Sequence, residues 1–194
     1  MEKPSRMLQS ICIYCSSSNR IAAHYFEIAT EVGRLLAEHG YTLVYGGGNV
    51  GLMGRMARAV HAHGGRVVGV IPERLKAIEG VAYDVADELI ITETMRERKA
   101  TMFTRADAFL VLPGGFGTLE EFLEVLTLRS LGYHDKPIAL VNTDGFYDPL
   151  LELFDHFFEE HFARPHTRGL YYVASDPEDA LRYLKTQSVW SDDR

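Results

Sequence analysis

Runs of apolar residues alternate with segments of helical period along almost the whole chain. Strand-like runs cover residues 8–15, 41–46, 66–71, 88–91, 107–112, 137–142 and 170–174. Between them, apolar positions recur three and four residues apart over 20–39, 50–63, 93–106, 117–131, 146–162 and 177–186, which predicts amphipathic helices. The strands are continuously apolar rather than alternating, as in a sheet covered on both faces, and strand–helix alternation makes their connections parallel. The pattern therefore predicts an α/β fold. One doubly wound domain spans residues 1–187, with a parallel sheet of about seven strands and helices on both faces. Residues 188–194 read as a frayed tail. In such sheets ligands bind beyond the carboxyl ends of the strands, where the strand order reverses.

Three loops meet that condition. After the first strand comes Ser16-Ser17-Ser18-Asn19, small side chains able to cap a helix or donate to an anion. After the second comes Gly46-Gly47-Gly48-Asn49-Val50-Gly51-Leu52-Met53-Gly54. After the fifth, Leu110-Val111-Leu112-Pro113-Gly114-Gly115-Phe116-Gly117-Thr118-Leu119-Glu120-Glu121 reads as strand, glycine loop and helix N-terminus. Backbone N–H groups at such a terminus, with the positive end of the helix dipole, form an anion site. A carboxylate one turn into the same helix does not serve anion binding, so it points to chemistry beside a phosphate.

Composition narrows the field. The 46% apolar and 24% charged content is that of a globular protein, and 194 residues suit one well-buried domain. A formal net charge of −7 argues against nucleic acid as a partner, which calls for clustered positive charge. No apolar run approaches the roughly 20 residues of a membrane span, and the first residues carry no long apolar leader. The expected compartment is the cytoplasm. Cys12 and Cys15 form a C-x-x-C inside a strand-like run, where residues three apart face opposite ways and sit about 10 Å apart. They read as reduced structural thiols. The eight histidines show no metal-ligand spacing, so no metal is expected.

Gly46 to Gly51 satisfy G-x-G-x-x-G, the dinucleotide fingerprint. It follows the second strand instead of the first, and no acidic residue ends the next strand, which closes in Val70-Ile71-Pro72. Close backbone approach to another ligand or to a partner subunit fits better, and no cofactor is implied. In the helix after the third loop, Leu119, Phe122, Leu123 and Leu126 read as the core stripe. Thr118 and Glu121 share a face away from it. Glu120, about 100° around from Glu121, reads as an ordinary first-turn acid. Val125 and Leu128, apolar but off the stripe, hint at a homodimer contact along 117–131. Arg98 and Lys99, in the helix before the fifth strand, offer a planar fork and a mobile point charge, although adjacent basic residues also make ordinary solvated faces.

Arg98-Lys99 followed by Pro113-Gly114-Gly115-Phe116-Gly117-Thr118-Leu119-Glu120-Glu121 resembles the signature of the LOG family, P-G-G-x-G-T-x-x-E with an upstream R-K. The likeness extends to Cys15-Ser16-Ser17-Ser18 and to the segment from Gly46 to Gly54, and runs from about residue 11 to residue 140. The family comprises cytokinin riboside 5′-monophosphate phosphoribohydrolases, many long labelled possible lysine decarboxylases. The resemblance implies a Rossmann-like homodimer that hydrolyses the N-glycosidic bond of adenine nucleoside 5′-monophosphates to free base and ribose 5-phosphate. It implies Arg98 and Glu121 as the catalytic pair. Substrate contacts are implied for Lys99, for Gly114 through Glu120 and for Thr127, with Ser16, Gly47 and Gly48 in the loops of the two earlier strands. Glu79 is a further implied contact, although its surroundings, Lys76-Ala77-Ile78-Glu79-Gly80, depart from the plant pattern. Lysine decarboxylation usually calls for a lysine bound to pyridoxal phosphate, and nothing in the chain marks one. Two other readings stay open: a non-catalytic carrier of a nucleotide or of molybdenum cofactor, and a nucleotide-sensing interaction module.

Overall fold

The computed structural model describes residues 5–6, 8–79, 82–187 and 189–190, with side chains for 8–77 and 82–187. From the amino end the order is β1 (Ser5–Arg6), β2 (Ser10–Tyr14), α1 (Ala23–Glu38), β3 (Thr42–Tyr45) and α2 (Gly51–Ala62). There follow β4 (Val67–Pro72), α3 (Glu73–Glu79), β5 (Glu88–Thr92), α4 (Met95–Arg105), β6 (Ala108–Val111) and α5 (Phe116–Ser130). The last part holds β7 (Ile138–Val141), α6 (Asp148–Glu159), β8 (Tyr172–Ala174), α7 (Pro177–Thr186) and β9 (Val189–Trp190).

Seven strands form one all-parallel sheet in the order β5-β4-β3-β2-β6-β7-β8. Successive residues of each strand point to opposite faces, so each strand feeds two cores. Ile11, Ile13, Leu43, Tyr45, Leu110 and Ala139 join the core beneath α1, α2 and α7. Cys12, Tyr14, Val44, Phe109, Val111 and Leu140 join the one beneath α4, α5 and α6. Leu43, Leu110 and Leu140 are fully buried, each contributing roughly 1.5–3 kcal/mol of transfer free energy. Cys12 and Cys15 fall in different cores as free thiols, as their spacing on a strand predicts.

Strand order reverses beside β2, which pairs with β3 on one edge and β6 on the other. The loops leaving β2 and β6 therefore run side by side. Leu112 N–H donates to the Tyr14 carbonyl at 2.9 Å, and Ser16 N–H to the Pro113 carbonyl at 3.3 Å. The β3–α2 loop is tied to the same place, Leu52 N–H donating to the Ser16 carbonyl at 2.9 Å and Gly51 N–H to Asn19 Oδ1 at 2.8 Å. All three glycine- or serine-rich loops are thus bound into one rim.

The hydrophobic pattern did not disclose every element. Helix α3 has only seven residues, too few to show a period, and starts directly behind Pro72. Val189–Trp190, inside the segment expected to fray, pairs antiparallel with Ser5–Arg6, while 188 and 191–194 lie outside the described residues. On α5 the core stripe is turned from its expected position. Phe122, Val125 and Leu126 are buried, Leu119 packs partly against them, Leu128 is half-buried and Leu123 is 39% exposed. At about 100° per residue, Val125 lies about 60° from Phe122 and Leu123 about 100°, so a stripe centred on Phe122 takes Val125 first. Val125 is a core residue and offers nothing to a partner.

Gly51 holds φ at 60°, and a Cβ added there would lie 2.4 Å from the carbonyl carbon of Ser17. Backbone on both sides leaves no room to yield. Gly51→Ala should therefore cost at least about 2 kcal/mol and lower Tm by roughly 4–8 °C. A thermal melt matching that of the parent protein would contradict the tight junction of the two loops.

Candidate active site

Helix α4 starts at a defined place because Thr94 Oγ1 accepts from Glu97 N–H at 3.1 Å, while the Glu97 carboxylate accepts from Glu93 N–H at 2.9 Å. Arg98 and Met102, one turn apart, then share its inward face, and both are buried. Arg98 Nε donates to the Val70 carbonyl of β4 at 3.2 Å, and Nη1 to Glu121 Oε1 at 2.6 Å. Arg98 is 6% exposed and Glu121 9%, so this ion pair is almost wholly withdrawn from water.

Glu121 comes from α5, whose N-cap is Gly115 and whose start has no capping side chain. Its first backbone N–H groups have no partner within the helix. They open beside the hydroxyl of buried Thr118. Gly114 clears that hydroxyl: a Cβ there would lie 2.1 Å from Thr118 Oγ1.

These groups line a cleft of about 440 Å³ at the β2/β6 reversal. Ser16, Ser17, Ser18, Gly115, Gly117 and Thr118 supply polar surface, Arg98, Glu120 and Glu121 the charges, and Met53, Leu75, Met95, Met102 and Phe116 apolar surface. Of the residues expected from sequence, Ser16, Arg98, Gly115, Phe116, Gly117, Thr118, Glu120 and Glu121 meet there. The others stand apart. Gly114 lies behind Thr118, and Leu119 packs into the core. Lys99 is paired with Glu120 and, at 3.1 Å, with Glu124. Gly47 and Gly48 are buried beneath Ala82 and Tyr83, the Gly47 carbonyl accepting from Tyr83 N–H at 3.0 Å. Thr127 is exposed in a separate groove between α5 and α6. Glu79 ends α3, and its side chain lies outside the described residues.

The apolar lining went unread in the sequence. Met102 carried a signal, four residues after Arg98 and therefore on its face, whereas Leu75 belongs to the short helix that no period disclosed.

Burial pushes the Glu121 carboxyl above the usual glutamate range, and the neighbouring Arg98 guanidinium opposes that shift. Cys15 also lines the cleft, but burial raises its thiol far above neutrality, so it stays protonated and unreactive. Lys99 is held protonated by its bond to Glu120. The arrangement can grip an anion at the helix start and present one carboxylate, fixed by an arginine, about one turn away.

Removing one member of a buried pair leaves the other charge unpaired. Arg98→Met should destabilise by roughly 3–5 kcal/mol, and adding Glu121→Leu should recover most of it. Denaturant unfolding of the single and double variants reads this directly. A double variant as unstable as the sum of the two singles would mean the charges are not coupled.

A family model described as "Possible lysine decarboxylase" matches residues 53–184. A cytokinin riboside 5′-monophosphate phosphoribohydrolase of Oryza sativa subsp. japonica, LOG, is 48% identical, covering 98% of this chain and 81% of its own. An Arabidopsis thaliana enzyme of the same name, LOG7, is 44% identical over 95% of this chain and 85% of its own. Among solved structures, the molybdenum cofactor binding protein of Rippkaea orientalis superposes with a TM-score of 0.70 at 23% identity, over 94% of this chain and 98% of that one. The Moco carrier protein of Chlamydomonas reinhardtii gives 0.68 at 23% identity, over 93% and 96%. At that identity the structures establish the shared Rossmann-like fold. The sequence relatives establish more: this chain belongs to the LOG family, the one whose model carries the lysine decarboxylase description.

Proposed function

We propose that the protein is a nucleoside 5′-monophosphate phosphoribohydrolase, which cleaves cytokinin riboside 5′-monophosphates or AMP to the free adenine-type base and ribose 5-phosphate. The substrate class comes from the names of its relatives. The observation that carries the chemistry is the buried Arg98–Glu121 pair beside an uncapped helix N-terminus.

The 5′-phosphate takes the N–H groups at the start of α5 and the hydroxyl of Thr118. Ribose then spans from that phosphate towards Glu121, and the base meets the apolar lining, where Phe116 is 94% and Met95 48% exposed. Breaking the bond between C1′ and the base nitrogen develops positive charge on the ribose, as in glycosidases. The Glu121 carboxylate stabilises that charge and draws a proton from the attacking water as its oxygen bonds to C1′. The bond electrons leave with the base, which takes up a proton. Arg98 is too basic to donate that proton; its part is to orient Glu121 and steady the charge. A carrier or sensing module on this fold has no use for an acid beside its phosphate, which favours the enzyme.

A homodimer that covers the outer face of α5 and α6 completes this reading. Leu123, Leu131, Leu153, Phe157 and Phe162 are exposed there, around the groove that holds Thr127. Reduced thiols and the lack, among the described residues, of any helix long and apolar enough to cross a membrane accord with work in the cytoplasm.

Purified protein incubated with AMP and with isopentenyladenosine monophosphate should release base from at least one, and much more slowly from adenosine; binding without product would leave a carrier. Glu121→Gln should retain nucleotide binding and lose base release. The carboxylate is the working form, and its raised pKa brings protonation on earlier as pH falls. The acid limb of kcat/KM should therefore lie above the ordinary glutamate value of 4.5. A profile flat to that pH would remove Glu121 from this role. Separately, Leu123→Asp should turn the dimer into monomer in sedimentation velocity; a parent protein that already sediments as monomer would end the dimer proposal.

A further inference from the structure

The Gly46-to-Gly51 motif matches a dinucleotide fingerprint, yet no step of the proposed reaction uses it. Gly46 directly follows β3, is buried and belongs to the cleft lining. Its backbone is outside the left-handed region, unlike that of Gly47 and Gly51, so conformation does not require glycine here. Space does. A Cβ built on Gly46 would lie 2.0 Å from Arg98 Nη2 and 3.2 Å from Cζ. Any side chain at this position must displace the guanidinium.

The three nitrogens of that guanidinium each meet a different element. Nε is bonded to the Val70 carbonyl of β4, Nη1 to Glu121 of α5, and Nη2 occupies the place of a missing side chain at the end of β3. A planar fork is fixed in position and tilt by three such points. We infer that Gly46 is a positioning residue, whose missing side chain forms the slot that holds Arg98 against Glu121. The first glycine of the motif thus serves an arginine. The effect on turnover rests on the phosphoribohydrolase reading; the slot itself does not.

Gly46→Ala tests this cleanly because the overlap is with the tip of a flexible side chain, which can move aside while the fold stands. Base release from AMP should fall about 100-fold in kcat, as expected for a displacement of about 1 Å, with KM little changed and Tm lowered by less than in Arg98→Met. In an Arg98→Lys background the same change should cost almost nothing further, since lysine has no Nη2. With 15N-arginine labelling, the Nε–H resonance that Arg98→Lys removes should shift in Gly46→Ala. A kcat unchanged by Gly46→Ala, an equal fold-loss in both backgrounds, or an Arg98 resonance that does not move would each overturn the role. If the parent protein releases no base, the phosphoribohydrolase reading fails, and the resonance alone decides the slot.

Discussion

A parallel sheet whose order reverses at one strand must part the chain there. Crossovers between parallel strands are right-handed almost without exception. The one leaving β2 therefore carries α1 over one face, while the one leaving β6 carries α5 over the other. The two loops begin as neighbours, bonded at Leu112 and Ser16, and diverge within a few residues. Between them a crevice opens, with Ile13 of β2 in its lining. The uncapped helix start, the hydroxyl loop and the buried acid all border it as a consequence of strand order, before any particular side chain is considered.

Within that crevice the Arg98–Glu121 pair stands apart energetically. An ion pair withdrawn from water gains little net stability, because desolvation offsets most of the attraction. A nearby apolar pair would pack as well. Its presence beside an uncapped helix start is therefore better explained by chemistry than by folding. Both sides of that balance are visible: Arg98 also binds a β4 carbonyl, while burial keeps the Glu121 carboxyl above its usual range even with the guanidinium beside it. Lys99, one residue on, faces the rim instead and neutralises Glu120 and Glu124. Adjacent basic residues thus have opposite environments, as their angular separation on a helix requires.

Much of this was legible in the chain. Continuous apolar strands and helical periods predicted the layers and the helices that flank them, because burial on both faces leaves a pattern that local sequence must carry. The loop around Gly115, with Thr118 and Glu121 on one face, could be read because helix phase is arithmetic. Helix phase alone does not choose the centre of the α5 stripe. Leu123 and Val125 are equally apolar, and which one is buried depends on the helix's rotation against the sheet, a quantity set by packing with Phe154 and Tyr171 rather than by spacing.

The sequence by itself determined the fold class, the position of the cleft beyond the strand ends, and the placing of Thr118 and Glu121 on one face of α5, since each depends on contacts local in the chain or on periodicity. Only the tertiary structure decided where the Arg98 guanidinium is held and that it lies against Gly46. Those two residues are 52 positions apart and sit on different elements. Nothing in their own segments marks the meeting, because steric exclusion between them exists only once β3, β4, α4 and α5 have closed on one another.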